Sequence, residues 1–143
     1  MKKKRRQPLV FLSHSSRDQR FVKRLAAVLR AHGIDVWYSE KHIVGAEQWH
    51  DEIGRALNRS TWFAVILSPA AVRSTWVKRE LLFALEQRTY ATRIIPILYR
   101  SCNHRTLSWT LSAFQFIDFT KSESRGFSEL LRIWRVRYDA SKV

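Results

Sequence analysis

The chain has one cysteine, Cys102, in 143 residues. An internal disulfide is therefore excluded, and a reducing, cytoplasmic setting is the expectation. No apolar run approaches the ~20 residues needed to cross a bilayer, so no membrane span is expected. The basic opening Met1–Arg6 lacks the apolar core of a secretory signal. Several chemical signatures are missing too. There is no G-x-x-x-x-G-K-[ST] loop for a nucleoside triphosphate and no G-x-G-x-x-G turn for a resident dinucleotide cofactor. No G-x-S-x-G elbow marks a serine hydrolase. The five histidines (14, 32, 42, 50 and 104) and Cys102 show no metal-ligand spacing, so no metal site is expected. Acidic residues are few: 12 Asp and Glu against 26 Lys and Arg give a net charge of +14. Such a balance favours anionic partners. Five of those charges lie in Lys2–Arg6, which leaves +9 on the rest by subtraction. That head, residues 1–7, reads as a solvated tail or as a contact for nucleic acid or an anionic surface.

What is present is a core-forming pattern. Hydrophobic residues make up 45% of the chain, enough for one domain of this length. Leu9 to Ser13 reads as a strand. Ser16 with Gln19 three residues later has the form of a capping box. Phe21, Val22, Leu25, Val28 and Leu29 recur at helical spacing, and Gly33 closes that helix. Ile34 to Tyr38 is a second strand. A polar loop then leads to a helix over about Gln48 to Leu57, with Trp49, Ile53, Ala56 and Leu57 inward. Trp62 to Leu67 is apolar throughout, as in a strand covered on both faces. A helix opening near Ser74 runs to about Tyr90. Ile94 to Tyr99 is a fourth strand whose Pro96 suggests an edge or a bulge. Phe114 to Phe119 is a fifth, and Phe127, Leu130, Leu131, Trp134 and Tyr138 mark a last helix. Residues 100–113 read as irregular. The alternation implies an α/β three-layer sandwich: a five-stranded parallel sheet, order 2-1-3-4-5, flavodoxin-like, with helices on both faces. The folded region is expected over residues 8–138, with a short tail at 139–143.

The most informative segment is Ser74-Thr75-Trp76-Val77-Lys78-Arg79-Glu80. Trp76 and Glu80, four apart, share one helix face. The helix follows the third strand, so both stand near the carboxyl ends of the strands, where such folds bind ligands. Glu80 is therefore the candidate catalytic residue. Ser13, His14 and Ser15 leave the first strand at the same edge, and a helix start there suits a pyrophosphate.

Four features now align in order: Val10-Phe11-Leu12-Ser13-His14-Ser15; Asp35-Val36-Trp37-Tyr38 with the loop to Gly45; Val65-Ile66-Leu67-Ser68-Pro69; and Ser74-x-Trp76-x-x-x-Glu80 followed by Ile94-Ile95-Pro96-Ile97. Together they resemble a TIR (Toll/interleukin-1 receptor/resistance) domain of the bacterial and plant kind. The resemblance implies a mobile loop after the second strand. It implies an NAD+ nucleosidase that splits the nicotinamide–ribosyl bond, releasing nicotinamide and ADP-ribose or a cyclic isomer, in defence signalling or virulence. NAD+ would be substrate, with no cofactor. The alternative within the same family is a non-catalytic adaptor that assembles with other TIR domains, and self-association is expected in either case.

Residue by residue, the resemblance places the catalytic carboxylate at Glu80. Breaking this bond expels a neutral pyridine and leaves positive charge on the ribose, as in glycoside hydrolysis, so one fixed carboxylate suffices. Trp76 would wall the pocket, or serve as core. Ser68 and Ser74 would donate to substrate, or cap helices. Ser13, His14 and Ser15 are further candidate contacts, although some active relatives carry arginine in this turn where this chain has Ser15 and Ser16, then Arg17. Lys41 and Gly45 fall in the loop, and Trp49 would stack on adenine or pack inward.

Overall fold

The protein is described from a computed structural model over residues 7–40 and 47–143, with 47–50 as backbone alone. Five parallel strands, β1 (Leu9–Ser13), β2 (Asp35–Trp37), β3 (Trp62–Leu67), β4 (Ile94–Leu98) and β5 (Ile117–Asp118), form one sheet in the order β2-β1-β3-β4-β5. This is the expected topology. β3 lies at the centre, and its alternation divides the core. Ala64 and Ile66 face helices α1 (Gln19–Ala31) and α5 (Glu123–Arg132), meeting Phe21, Leu25, Phe127 and Leu131. Phe63, Val65 and Leu67 face α2 (Glu47–Arg59) and α4 (Thr75–Glu86), meeting Ile53, Ala56, Val77 and Leu81. Burial on both faces is why β3 tolerates no polar residue. Among the described residues no helix is long and apolar enough to cross a membrane.

Several local expectations need revision. Ser15, not Ser16, accepts from a backbone amide at the first turn, that of Arg17, and Gln19 turns to His14 instead of closing a capping box. The helix around Trp76 ends at Glu86, and Arg88–Tyr90 forms a separate 3-10 turn. An additional short helix, α3 (Pro69–Val72), precedes it. Trp134 and Tyr138 lie beyond the last helix yet still pack on the core. β5 has two residues rather than six: Phe114 to Phe116 follow the Trp109–Ala113 3-10 turn without pairing with β4, and the ladder begins at Ile117. The short β5 also accommodates Pro96: β5 pairs only with Ile97 and Leu98, so the proline flanks that ladder. Gly33 holds the expected positive φ, 82°.

Two glycines inside helices make opposite predictions. A Cβ on Gly126 of α5 would lie 2.6 Å from the buried Phe119 ring, while one on Gly54 of α2 would meet nothing within 4 Å. Alanine gains up to ~1 kcal/mol of helix propensity at either site, and overpacking costs ~1–3 kcal/mol where the clash occurs. Denaturant unfolding of Gly126→Ala should show a net loss of about 1–2 kcal/mol, and Gly54→Ala a gain of about 0.5–1 kcal/mol.

Candidate active site

The sheet delivers two chain exits side by side. β1 ends at Ser13, which is paired in register with Val65 of β3. β3 ends at Leu67, and Ser68 caps α3 by accepting from the Ala71 amide. The chain turns at Arg73, and Ser74 caps α4 by accepting from the Val77 amide. Buried Val77, Leu81 and Ala84 then press one face of α4 onto the sheet. That docking brings Glu80, in the second turn of α4, over the end of β1.

There Ser13 Oγ donates to Glu80 Oε1 across 2.7 Å. The Glu80 residue is half-buried, but its carboxyl end lies among protein atoms. Desolvation pushes its pKa up to about 7, against the lowering effect of the Ser13 hydrogen bond. A carboxyl group that changes charge near neutrality is the condition found at catalytic acids and bases. Around it, Phe11, Leu12, His14, Trp37, Ser39, Ile53 and Trp76 line a cavity of about 10 Å³, room for roughly one water molecule. Trp37 stacks on Phe11 with ring centroids 5.0 Å apart. Trp76 is 40% exposed, with the Arg79 guanidinium 5.8 Å from its ring centroid. The arrangement is an ionisable carboxylate ringed by aromatic faces, which suits a flat cation.

The expected site residues divide into groups. Ser13, His14, Trp76 and Glu80 come together here. His14 is buried, held by the Leu12 carbonyl and the Gln19 side chain (2.9 Å). Ser68 is fully buried, donates to Asp18 Oδ2 at 2.5 Å and accepts from Ala71; of its two readings the capping role is the one built, and its hydroxyl is committed inside the protein. Ser15 and Ser74 both cap turns and line a separate groove with Arg17 and Arg73. Lys41, Gly45 and Lys2–Arg6 lie outside the described residues, as does the Trp49 side chain. Sequence reasoning missed Phe11, Leu12, Trp37, Ser39 and Ile53. Period-two alternation in β2 carried the signal for Trp37: Val36 packs with α1, so its neighbour had to face α2 and α4.

A family model described as TIR domain matches residues 10–131. The chain belongs to the TIR domain family. It is 30% identical over 132 residues to "NAD(+) hydrolase PdTIR" of Paracoccus denitrificans, an alignment covering 88% of this chain and 44% of that protein. It is 30% identical over 105 residues to "2' cyclic ADP-D-ribose synthase BtTIR" of Bacteroides thetaiotaomicron, covering 71% and 36%. The chain thus spans less than half the length of these curated relatives. Its fold is similar to the crystal structure of the TIR domain of the Toll-related receptor TRR-2 from Hydra magnipapillata, with a TM-score of 0.71 and 22% identity over 88% of this chain and 97% of that one. It is also similar to the TIR domains of the activated Roq1 resistosome, with a TM-score of 0.68 and 19% identity over 90% and 99%.

The raised Glu80 pKa has a consequence for the stability of this TIR domain. A carboxyl whose folded pKa lies above its unfolded value holds its proton more tightly when folded. Wild-type stability should therefore fall as pH rises from about 4.5 to about 7. Glu80→Gln keeps an acceptor for Ser13 and removes the titration. Denaturant unfolding should show the variant more stable than wild type near pH 8, by up to roughly 3 kcal/mol, with the difference shrinking toward pH 5. A difference that does not change with pH would contradict the desolvated carboxyl.

Proposed function

We propose that this TIR domain cleaves the nicotinamide–ribosyl bond of NAD+, with Glu80 as the catalytic carboxylate. The observation that carries the reading is the placement of that desolvated carboxyl at the carboxyl edge of the sheet, hydrogen-bonded by Ser13 and walled by Trp37 and Trp76. The relatives named as an NAD(+) hydrolase and a 2' cyclic ADP-D-ribose synthase support it.

The chemistry follows from charge. NAD+ carries a pyridinium, and a cation brought to Glu80 favours its ionised form. Binding therefore draws the carboxyl toward the carboxylate, offsetting the desolvation that raised its pKa. When the bond from the ribose carbon to the pyridine nitrogen breaks, the electron pair leaves with nicotinamide, which departs neutral. The positive charge passes to the ribose, and Glu80 stabilises it. Ser13 fixes the carboxylate geometry, while the indole faces of Trp37 and Trp76 exclude water and favour the cation. Capture of the ribose carbon by water, with loss of a proton, gives ADP-ribose. Capture by a ring nitrogen or hydroxyl of the same molecule gives a cyclic isomer.

The cavity holds about one water, so substrate reaches Glu80 only when its walls separate, and partly exposed Trp76 is the wall open to solvent. Self-association belongs to the same reading. Leu82 and Phe83 of α4 are exposed at 45% and 36%, an apolar surface suited to another TIR domain. That surface also supports the second reading, a module that assembles without catalysis.

Incubation with NAD+ while nicotinamide release is followed separates the two. Wild type at high protein concentration should release nicotinamide, and Glu80→Ala should lose at least about 100-fold in rate while keeping its circular dichroism spectrum. Absence of release from the wild type would favour the assembly module, and an unchanged rate in Glu80→Ala would remove that residue from the mechanism.

A further inference from the structure

The end of the sheet opposite Glu80, where the strands begin, carries an open groove in two lobes. One lobe, about 740 Å³, is lined by Ile34, Trp62, Arg93, Trp134 and Arg135 among others. The other, about 710 Å³, is lined in part by Ile94, Ile95, Phe114 and Arg132. Trp62 and Ile133 belong to both, so the lobes adjoin. The second lobe lies where a longer β5 would run. β5 pairs only with Ile97 and Leu98, which leaves Ile94 to Pro96 of β4 without a strand neighbour on that side among the described residues. Arg93, Arg132 and Arg135 are exposed, and none has an ion-pair partner among the described residues. The one carboxylate in the two linings, Glu129, is ion-paired with Arg125 at 3.3 Å. The groove is therefore apolar at its floor and positive at its rim.

Arg135 holds its place there at a cost. Its N–H donates to the Arg132 carbonyl (2.9 Å) and the Val136 N–H to the Leu131 carbonyl (3.1 Å), the pair of bonds that closes a helix at a left-handed residue. That residue, with φ of 60°, is Arg135, where glycine is usual because a Cβ is strained. A cation at the end of α5 suits the helix dipole, but Arg132 already supplies one from a helical position. Strain kept at a residue whose guanidinium borders a groove points to a use for that guanidinium. The chemistry of the occupant follows from the walls. Arg93 lies over Trp62, 5.6 Å from its centroid, Trp134 meets Trp62 edge to face at 5.5 Å, and both rings also pack against the core. Rings so occupied make a poor stacking platform for nucleobases. An unpaired strand edge is instead complementary to a peptide backbone. A second copy of this chain, with 26 Lys and Arg against 12 Asp and Glu, is repelled by the same charges. We propose that this groove docks an extended acidic segment of a partner protein, its carboxylates on Arg93 and Arg135 and its apolar side chains over Ile133 and the β4 edge. The six residues of β3 separate the groove from the Glu80 edge by roughly 20 Å, so the docking does not depend on the chemistry proposed there.

The test is fluorescence anisotropy with a fluorescein-labelled peptide of alternating glutamate and leucine. The controls are the same peptide with glutamine for glutamate and a labelled single-stranded oligouridylate. Wild type should bind the glutamate peptide at least about tenfold more tightly than the glutamine peptide, the difference expected of charge-assisted hydrogen bonds. Arg93→Gln/Arg135→Gln, both at exposed positions, should lose about that same factor. Arg135→Gly separates docking from folding: it should move the denaturant midpoint upward by removing the strained Cβ, yet weaken the peptide several-fold. Glu80→Gln should leave peptide affinity within about twofold. Failure of the glutamate peptide to bind, or binding indifferent to both arginines, would overturn the proposal. So would arginine-dependent binding of the oligouridylate in preference to the peptide, which would make the groove a nucleic-acid site. Self-association in sedimentation, abolished by the arginine double variant, would make a second copy the occupant and overturn it too. A lower denaturant midpoint for Arg135→Gly would show that Arg135 serves the fold and would remove the argument from strain.

Discussion

Ser13 Oγ donates to Glu80 Oε1 across 2.7 Å, at the end of β1. A carboxyl group removed from water beside a neutral donor is held at a cost, which shows as a pKa near 7. Something else must keep it there. Val77, Leu81 and Ala84 do so by docking α4 on β1 and β3, and Ser74 does so by fixing where the helix begins. Loss of that docking would return Glu80 to solvent, where a carboxylate near a sugar cation is worth little. The central hydrophobic layer and the Glu80 site are therefore one construction.

The same edge of the sheet gathers charge of both signs without cancelling it. Glu80 lies in an aromatic cavity, Arg17 and Arg73 border an open groove, and Asp18 is folded inward as the acceptor for Ser68. Ser68 is informative here. Its hydroxyl is used twice inside the protein, to Asp18 and from Ala71, so it braces the two chain exits against each other.

The sheet was legible because β1, β3 and β4 are apolar on both faces and separated by helical patterns, which leaves few parallel topologies. Glu80 was legible because a carboxylate four residues from a tryptophan, at the start of a helix after a central strand, has few places to go. The rest depended on contacts distant in sequence. Trp37 reaches the cavity only because β2 pairs with β1 and turns its odd face to Phe11. Ser68 looked available as a donor because Asp18, fifty positions earlier, was not seen to take it. Arg73 carries no signal of its own until the turn after α3 sets it opposite Arg17. At the last helix the apolar spacing continued through Trp134 and Tyr138, but the chain leaves the helix after Arg132 and passes through a positive φ of 60° at Arg135. Both rings reach the core from an irregular segment, which periodicity cannot distinguish from a helix.

The most direct measurement is the titration of the Glu80 side-chain carboxyl in the folded wild-type protein, followed by carbon NMR of labelled glutamate and assigned with the Glu80→Gln variant. The account predicts a midpoint near 7 in the free protein, moving to lower pH when a pyridinium ligand is added. A midpoint near the ordinary glutamate value, unmoved by such a ligand, would show a solvated surface carboxylate and contradict the account at its base.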